Sequence, residues 1–394
     1  MRTETNATAH ALPDFNREVH CLLGLPFDAV ARAGAEARIR AAAGSGARCF
    51  LSTPNVNFVV HSRTDESFRR SVLNSDLSVV DGMPLVWLAR LLGIPLRERV
   101  AGASLFESLR RPAGKPLSVY FFGGPDGAAE AAWRALGGAR GGLVCVGYAS
   151  PGFGSVEDMS GEELIAHINA AQPDLLVVSL GARKGQAWIE RNRARLDVPV
   201  VSHLGAVLKH TGGLVRRAPA WMQRAGLEWL WRIKEEPALY RRYARDAFGL
   251  AVLLATRGLP YAWYLRRRSP SGVPRIEARE EPQSTVLRLR GAWTGSSLAR
   301  LRRAFHHAVR AGKHVRLEMA EVTHIDSAFV GLTMLLEGHQ KKLGRQFHIA
   351  SLAGDARRVF DYCCAEYLYA GAAASVPADE RAALLDDEAT YRPS

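Results

Sequence analysis

Residues 117–148 read LSVYFFGGPDGAAEAAWRALGGARGGLVCVGY. An apolar run, SVYFF, meets a glycine turn at Gly123-Gly124-Pro125-Asp126-Gly127. A helical stretch with one polar face follows over Asp126 to Leu136, and then a second apolar run, GLVCVGY. A strand with one wet face alternates polar and apolar residues, whereas these runs are almost continuously apolar and so predict strands covered on both faces. Strand, helix and strand in that order predict a parallel pair joined by a crossover.

The same pattern extends in both directions, from about Val19 to Leu208. VHCLLGL, CFLST and LSVVDG precede the quoted stretch, and DLLVVSLG and VPVVSHLG follow it, with a further helical stretch over Gly161 to Ala171. The prediction is an α/β fold, a doubly wound and mostly parallel Rossmann-like sheet. In such sheets ligands bind beyond the carboxyl ends of the strands. The residues just after each run are therefore the candidates: Thr53-Pro54-Asn55, Asp81-Gly82, Gly123-Gly124 and Gly181-Ala182-Arg183-Lys184. A glycine turn that opens a helix offers N–H groups to a phosphate. It also simply permits tight packing of strand on helix, and the sequence leaves both readings open.

The 394 residues are 47% hydrophobic and 23% charged, enough for two domains with packed cores and too apolar for disorder. A net charge of +13 calls for an anionic partner. Five cysteines show no metal or disulfide spacing, the pair Cys363-Cys364 included, which points to reduced thiols in the cytoplasm. The polar N-terminus has no secretory signal core. The run from Ala247 to Leu265 is broken by Arg257, Gly258 and Pro260, so it suits an interfacial position better than a membrane span. Glycine fingerprints for dinucleotides and for the P-loop are absent, as are HExxH, Gly-x-Ser-x-Gly and zinc spacings. What remains is a strand-end carboxylate, strand-end hydroxyl and amide groups, a glycine turn and a basic tail. That set fits displacement of a nucleoside diphosphate by an acceptor hydroxyl, with a general base and cationic groups for the leaving diphosphate. No DxD metal motif occurs in the body of the chain, so no metal cofactor is expected.

From Leu214 to Arg245 basic and aromatic residues interleave, as on a solvated amphipathic surface or on a lid of arginines over a diphosphate. Trp221 and Trp229 are expected to pack. Residues 266–283, RRRSPSGVPRIEAREEPQ, read as a linker.

LSTPNVNFVV, then LNSDLSVVDGMPLVWLARLLGIPLRERVAGASLFESL, then HTGGLVRRAPAWMQRAGLEWLWRIKEEPALYRRY resemble the WecB/TagA/CpsF glycosyltransferase family over roughly Val19 to Arg245. The resemblance implies an inverting transfer of a hexose or N-acetylhexosamine from a UDP-sugar to a polyprenyl-diphosphate-linked sugar, at the cytoplasmic membrane face, for a cell-surface polysaccharide. It implies Asp81 as the general base, with Thr53 and Asn55 lining its pocket. Arg99 would contact sugar or phosphate, and Arg216, Arg217, Arg232, Arg241 and Arg242 would belong to a tail that closes over the site and touches an anionic membrane. Gly123, Gly124, Lys184 and Gln186 complete the expected binding set. For Asp81 the competing reading is a cap on the following helix. The family's G-x-P-K-Q-E run is replaced in this chain by Gly181-Ala182-Arg183-Lys184-Gly185-Gln186, a departure that bears on sugar choice.

Beyond the linker, VTHIDSAFVGLTMLLEGHQKKLGRQFHIASL resembles the centre of a STAS domain, in which a serine before a helix is a phosphorylation site. Ser327 takes that place, with a plain N-cap role as the alternative. The expected divisions are 15–245 for the transferase, 246–283 for an apolar membrane-association segment and linker, 284–375 for a STAS-like unit that docks a protein partner, and 376–394 for an acidic tail. Two other readings stand beside the enzyme: a scaffold that has lost catalysis, and a nucleic-acid binder. The gathering of arginines beside tryptophans counts against the second.

Overall fold

The computed structural model describes residues 13–136, 141–152 and 154–370, and the acidic tail expected over 376–394 lies outside them. The chain divides into two compact units, 17–268 and 269–370 with 13–16.

The first unit is built on strands β1 (Val19–Leu22), β2 (Leu25–Asp28), β3 (Cys49–Ser52), β4 (Leu77–Ser78), β5 (Leu117–Gly123), β6 (Leu143–Ala149), β7 (Leu175–Ser179) and β8 (Val200–His203). Six of them form a sheet of order β4-β3-β8-β7-β5-β6, every pair parallel. Alternate residues of one strand enter opposite cores. Val119 and Phe121 join Leu51, Val177 and Val200 on one face, while Tyr120 and Phe122 join Phe50, Val178 and Trp188 on the other. Burial on both faces is what the unbroken apolar runs predicted.

The run VHCLLGL is the exception. It folds as the antiparallel hairpin β1–β2, apart from the parallel sheet. Leu23 and Gly24 both take positive φ, 50° and 90°, the conformation that turns a strand back within two residues. The hairpin braces β4 instead. Asp28 accepts from the Ser78 N–H at 2.7 Å and pairs with buried Arg17, and the Ser78 hydroxyl donates to the Pro26 carbonyl.

The segment expected to be interfacial is helical and belongs to this unit. Helix Tyr240–Leu253 runs through a π-helical turn, Leu254–Gly258, into helix Leu259–Arg267. Pro260 lacks an N–H and crowds the carbonyl four residues back, and a widened turn relieves that clash. One face docks: Asn57 donates to both Asp246 carboxylate oxygens at 3.1 Å, and Gly249 leaves room for Val60. Among the described residues no helix is long and apolar enough to cross a membrane.

The second unit carries β9 (Arg275–Glu280), β10 (Ser284–Trp293), β11 (His314–Ile325) and β12 (Phe347–Ala350) in the order β12-β11-β10-β9. The β10–β11 and β11–β12 pairs are parallel and β10–β9 is antiparallel. Helices Ala299–Arg310, Ser327–Lys342 and Gly354–Tyr362 supply Phe305, Phe329 and Phe360 to the core around Trp293. Strand β9 lies inside the expected linker. It is an edge strand whose charged side chains stay in solvent, so it carries no apolar alternation.

Candidate active site

The carboxyl ends of β3 and β4 place two segments side by side. Beyond β4, Asp81 N–H donates to the carbonyl of Pro54, which follows β3, at 2.9 Å, and this ties the VVDG segment to TPN. Helix Val56–Ser62 then begins, with Asn55 as its N-cap and the Asn55 Oδ1 accepting from Phe58 N–H. Gly102 opens helix Gly102–Leu109 against Thr53: a Cβ on Gly102 would lie 3.5 Å from Thr53 Oγ1 and only 2.7 Å from Leu204. Thr53, Asn55, Asp81, Gly82 and Gly102 therefore crowd one cleft.

Asp81 does not cap the helix that follows it. That helix, Met83–Leu91, has Gly82 as its N-cap and no side-chain cap bond. The Asp81 carboxylate keeps one long backbone bond, from Gly102 N–H at 3.4 Å, and lies 3.8 Å from Arg99 Nε. Burial chiefly, with help from the Glu228 carboxylate, raises its pKa against the opposing influence of Arg99, the Gly102 N–H and Arg232. Solvent still reaches 28% of the side chain, so the carboxylate forms an open floor and not a sealed core.

The tail covers that floor. Arg99 is shared, its other end holding Glu228 of the helix Glu228–Glu235. Burial opposes charge on Glu228, yet Arg99, Arg217 and Arg232 outweigh it and hold its carboxyl below the usual range. Burial likewise opposes charge on Arg232, and Tyr243, Asp81 and Glu228 outweigh it, so its pKa is raised. Arg217 Nη2 donates to Ser104 Oγ at 2.9 Å, and Gly226 at φ 75° sits where a Cβ would meet Met83 at 2.8 Å. These contacts fasten the tail to the helices around Asp81.

Other expected site residues lie elsewhere. Arg216 and Arg241 are exposed, the Arg216 carbonyl accepting from Trp231 Nε1 at 3.0 Å, and Arg242 stacks on Tyr243. Trp221 and Trp229, expected to pack, are exposed. Gly123 and Gly124 take φ 86° and 87°, and Leu180 and Leu208 fill the space a side chain would need, so packing demands glycine there. Lys184 Nζ donates to the Gly154 carbonyl at 2.5 Å and borders an open cavity of about 590 Å³ between helices Glu66–Leu73 and Ala182–Asn192. Gln186 turns inward, buried, and donates to Ser52 Oγ at 3.0 Å, so it supports the sheet rather than facing a substrate. Gly185, within the departing loop, backs onto His203: a Cβ would fall 2.2 Å from the imidazole. Burial lowers the His203 pKa against its bond to the Leu180 carbonyl. In the second unit Ser327 is 5% exposed at the start of its helix, and the N-cap is Asp326, not Ser327.

The sequence singled out neither Glu228 nor Gly102. An acidic residue inside an arginine-rich tail was the available signal for Glu228. Among the described residues no group of three or more His, Cys, Asp or Glu is placed to hold a metal ion.

Comparison with known proteins places this cleft in a family. Residues 20–262 match the glycosyl transferase WecG/TagA/CpsF family, and residues 276–363 match the Mlab-type STAS domain. An N-acetylglucosaminyldiphosphoundecaprenol N-acetyl-beta-D-mannosaminyltransferase of Bacillus spizizenii is 29% identical over 194 residues, 49% of this chain and 74% of the relative. The enzymes of the same name from Bacillus subtilis and Staphylococcus aureus are 27% and 25% identical, over 49% and 46% of this chain and 73% and 70% of their own lengths. The chain is a glycosyltransferase belonging to the WecG/TagA/CpsF family, with a STAS domain following its transferase unit.

Proposed function

We propose that the chain moves a hexose or N-acetylhexosamine from a UDP-sugar to a polyprenyl-diphosphate-linked sugar, with inversion and without a metal ion. The observation that carries this reading is Asp81, a strand-end carboxylate that does not cap the helix following it, keeps one long bond to Gly102 N–H, and lies beside Arg99 under the charge of Arg232. Asp81 takes the proton from the acceptor hydroxyl as its oxygen bonds to the sugar's anomeric carbon. The bond from that carbon to the diphosphate breaks, and the leaving UDP carries the electron pair. Arg99, Arg217 and Arg232 stabilise the developing charge, with Thr53 and Asn55 bordering the sugar. A raised pKa suits a group that must be a competent base near neutrality.

The acceptor class is supported by the names of the relatives, which act on N-acetylglucosaminyldiphosphoundecaprenol. Peripheral attachment to the inner membrane face is supported by the free side of the helices beyond residue 240. Phe248 is 72% exposed there, with Val252, Leu259 and Trp263 beside it, and Arg267 stacks on Trp263 at 4.2 Å. Apolar residues bordered by arginines match an anionic lipid surface. The STAS unit is proposed to dock a regulatory protein. A kinase acting on Ser327 would first need the start of its helix to open.

UDP release with a panel of UDP-hexoses, detergent-solubilised polyprenyl-diphosphate sugars and a chelator tests this function. Acceptor-dependent release that survives the chelator is expected. Capture of a partner through the STAS unit, with no turnover for any donor, would favour the scaffold reading.

A further inference from the structure

The charges over Asp81 are unevenly matched. Arg99 pairs with the Glu228 carboxylate, the charges of Arg217 and Arg232 act on it as well, and the Arg99 guanidinium spans from Glu228 to Asp81. Both ends of the Arg99–Glu228 pair are poorly exposed, 13% and 15%. A carboxylate and a phosphate offer a guanidinium the same thing, two anionic oxygens in one plane of approach. A guanidinium paired with a half-buried carboxylate, with two further arginine charges acting on it, is thus an anion site already holding an anion. Glu228 is also the first residue of its helix, so leaving Arg99 would loosen the helix that covers the cleft.

We propose that Glu228 is an internal competitor for the diphosphate: it holds Arg99 from the tail helix and gives it up when a diphosphate enters, which breaks that latch while Arg217 and Arg232 stay to meet the ligand. The inference rests on the transferase reading of this cleft. It adds a coupling between donor binding and tail position that the base and the arginines alone do not supply. A ligand that binds only by displacing Glu228 loses the affinity spent in breaking the Arg99 pair. Removing the competing charge therefore tightens diphosphate binding. A purely structural Glu228, which only aims Arg99 at Asp81, predicts the opposite, because its loss would loosen the site.

The test is binding of inorganic pyrophosphate and of UDP to the full chain, native, Glu228→Gln and Glu228→Asp. Glu228→Gln should bind pyrophosphate about tenfold tighter, roughly 1.4 kcal/mol, and Glu228→Asp, which keeps the charge, should stay near the native value. Equal or weaker binding by Glu228→Gln, with native binding intact, overturns the inference and leaves the transferase reading standing. If no form binds pyrophosphate or UDP, the transferase reading of the cleft falls and the inference with it. Should Glu228→Gln fail to fold, the native chain decides through protease cleavage across residues 213–236. Faster cleavage on adding pyrophosphate supports the displacement, and unchanged cleavage at saturating pyrophosphate rejects it.

Discussion

Two aspartates stand at the same kind of junction, Asp81 after β4 and Asp326 after β11, each between a strand and a helix. Asp326 is fully employed by its own backbone. Its carboxylate accepts from Ala328 N–H and Phe329 N–H at 3.0 Å, and from Gly295 N–H at 2.7 Å. Asp81 passes the capping position to Gly82 and keeps one backbone bond of 3.4 Å. One carboxylate has its lone pairs satisfied locally and is stabilised as a structural group. The other is desolvated, faces guanidiniums and has capacity left for a substrate proton. Sequence position alone does not separate chemistry from architecture at a strand end; the fate of the carboxylate oxygens does.

The contrast can be broken or sharpened by substitution. The largest effect belongs to Asp81→Asn, which should lower transfer by about 10²–10⁴-fold. Its stability should move the other way. The folded-state pKa of Asp81 lies above its ordinary 3.8, so its stabilising contribution is present below the ordinary value and lost as pH rises through the raised one. At neutral pH, Asp81→Asn should melt at or above the native temperature in calorimetry. Gly185→Ala should cost about 1–2 kcal/mol in denaturant unfolding, since the clash with His203 exceeds the gain in helix propensity. Asp326→Ala should cost the second unit about 1–2 kcal/mol by stripping three N–H groups of their acceptor, with transfer near native. The smallest effect is Arg241→Ala, an exposed position where stability should stay within about 0.5 kcal/mol.

The parallel sheet was legible because doubly buried strands leave unbroken apolar runs, and SVYFF and LLVVS fall where those runs lie. A short apolar run says nothing of its partner, so VHCLLGL carried no sign that Leu23 and Gly24 would turn it into a hairpin. Strand β9 was hidden for the opposite reason: RIEARE is an edge strand, and its charges look like a linker. In the candidate site, Asp81, Thr53, Asn55 and Arg99 were singled out through the family resemblance, and the fold brings them close together. The orientation of Gln186 was not, because helix phase decides whether a polar residue faces Ser52 or solvent. Nor was the Arg99–Glu228 pair, which joins residues 129 apart in the chain. Contacts of that kind arise from the docking of a tail, not from any local pattern.

The most direct test of Asp81 as the general base is the pH dependence of kcat/KM for sugar transfer, in the native chain and in Asp81→Asn. A base must be ionised to act, so native activity should fall as pH drops through a midpoint above 3.8, the ordinary aspartate value. The residual activity of Asp81→Asn should lack that acid limb. The same limb at the same pH in both proteins would assign the titration to another group and contradict Asp81 as the base.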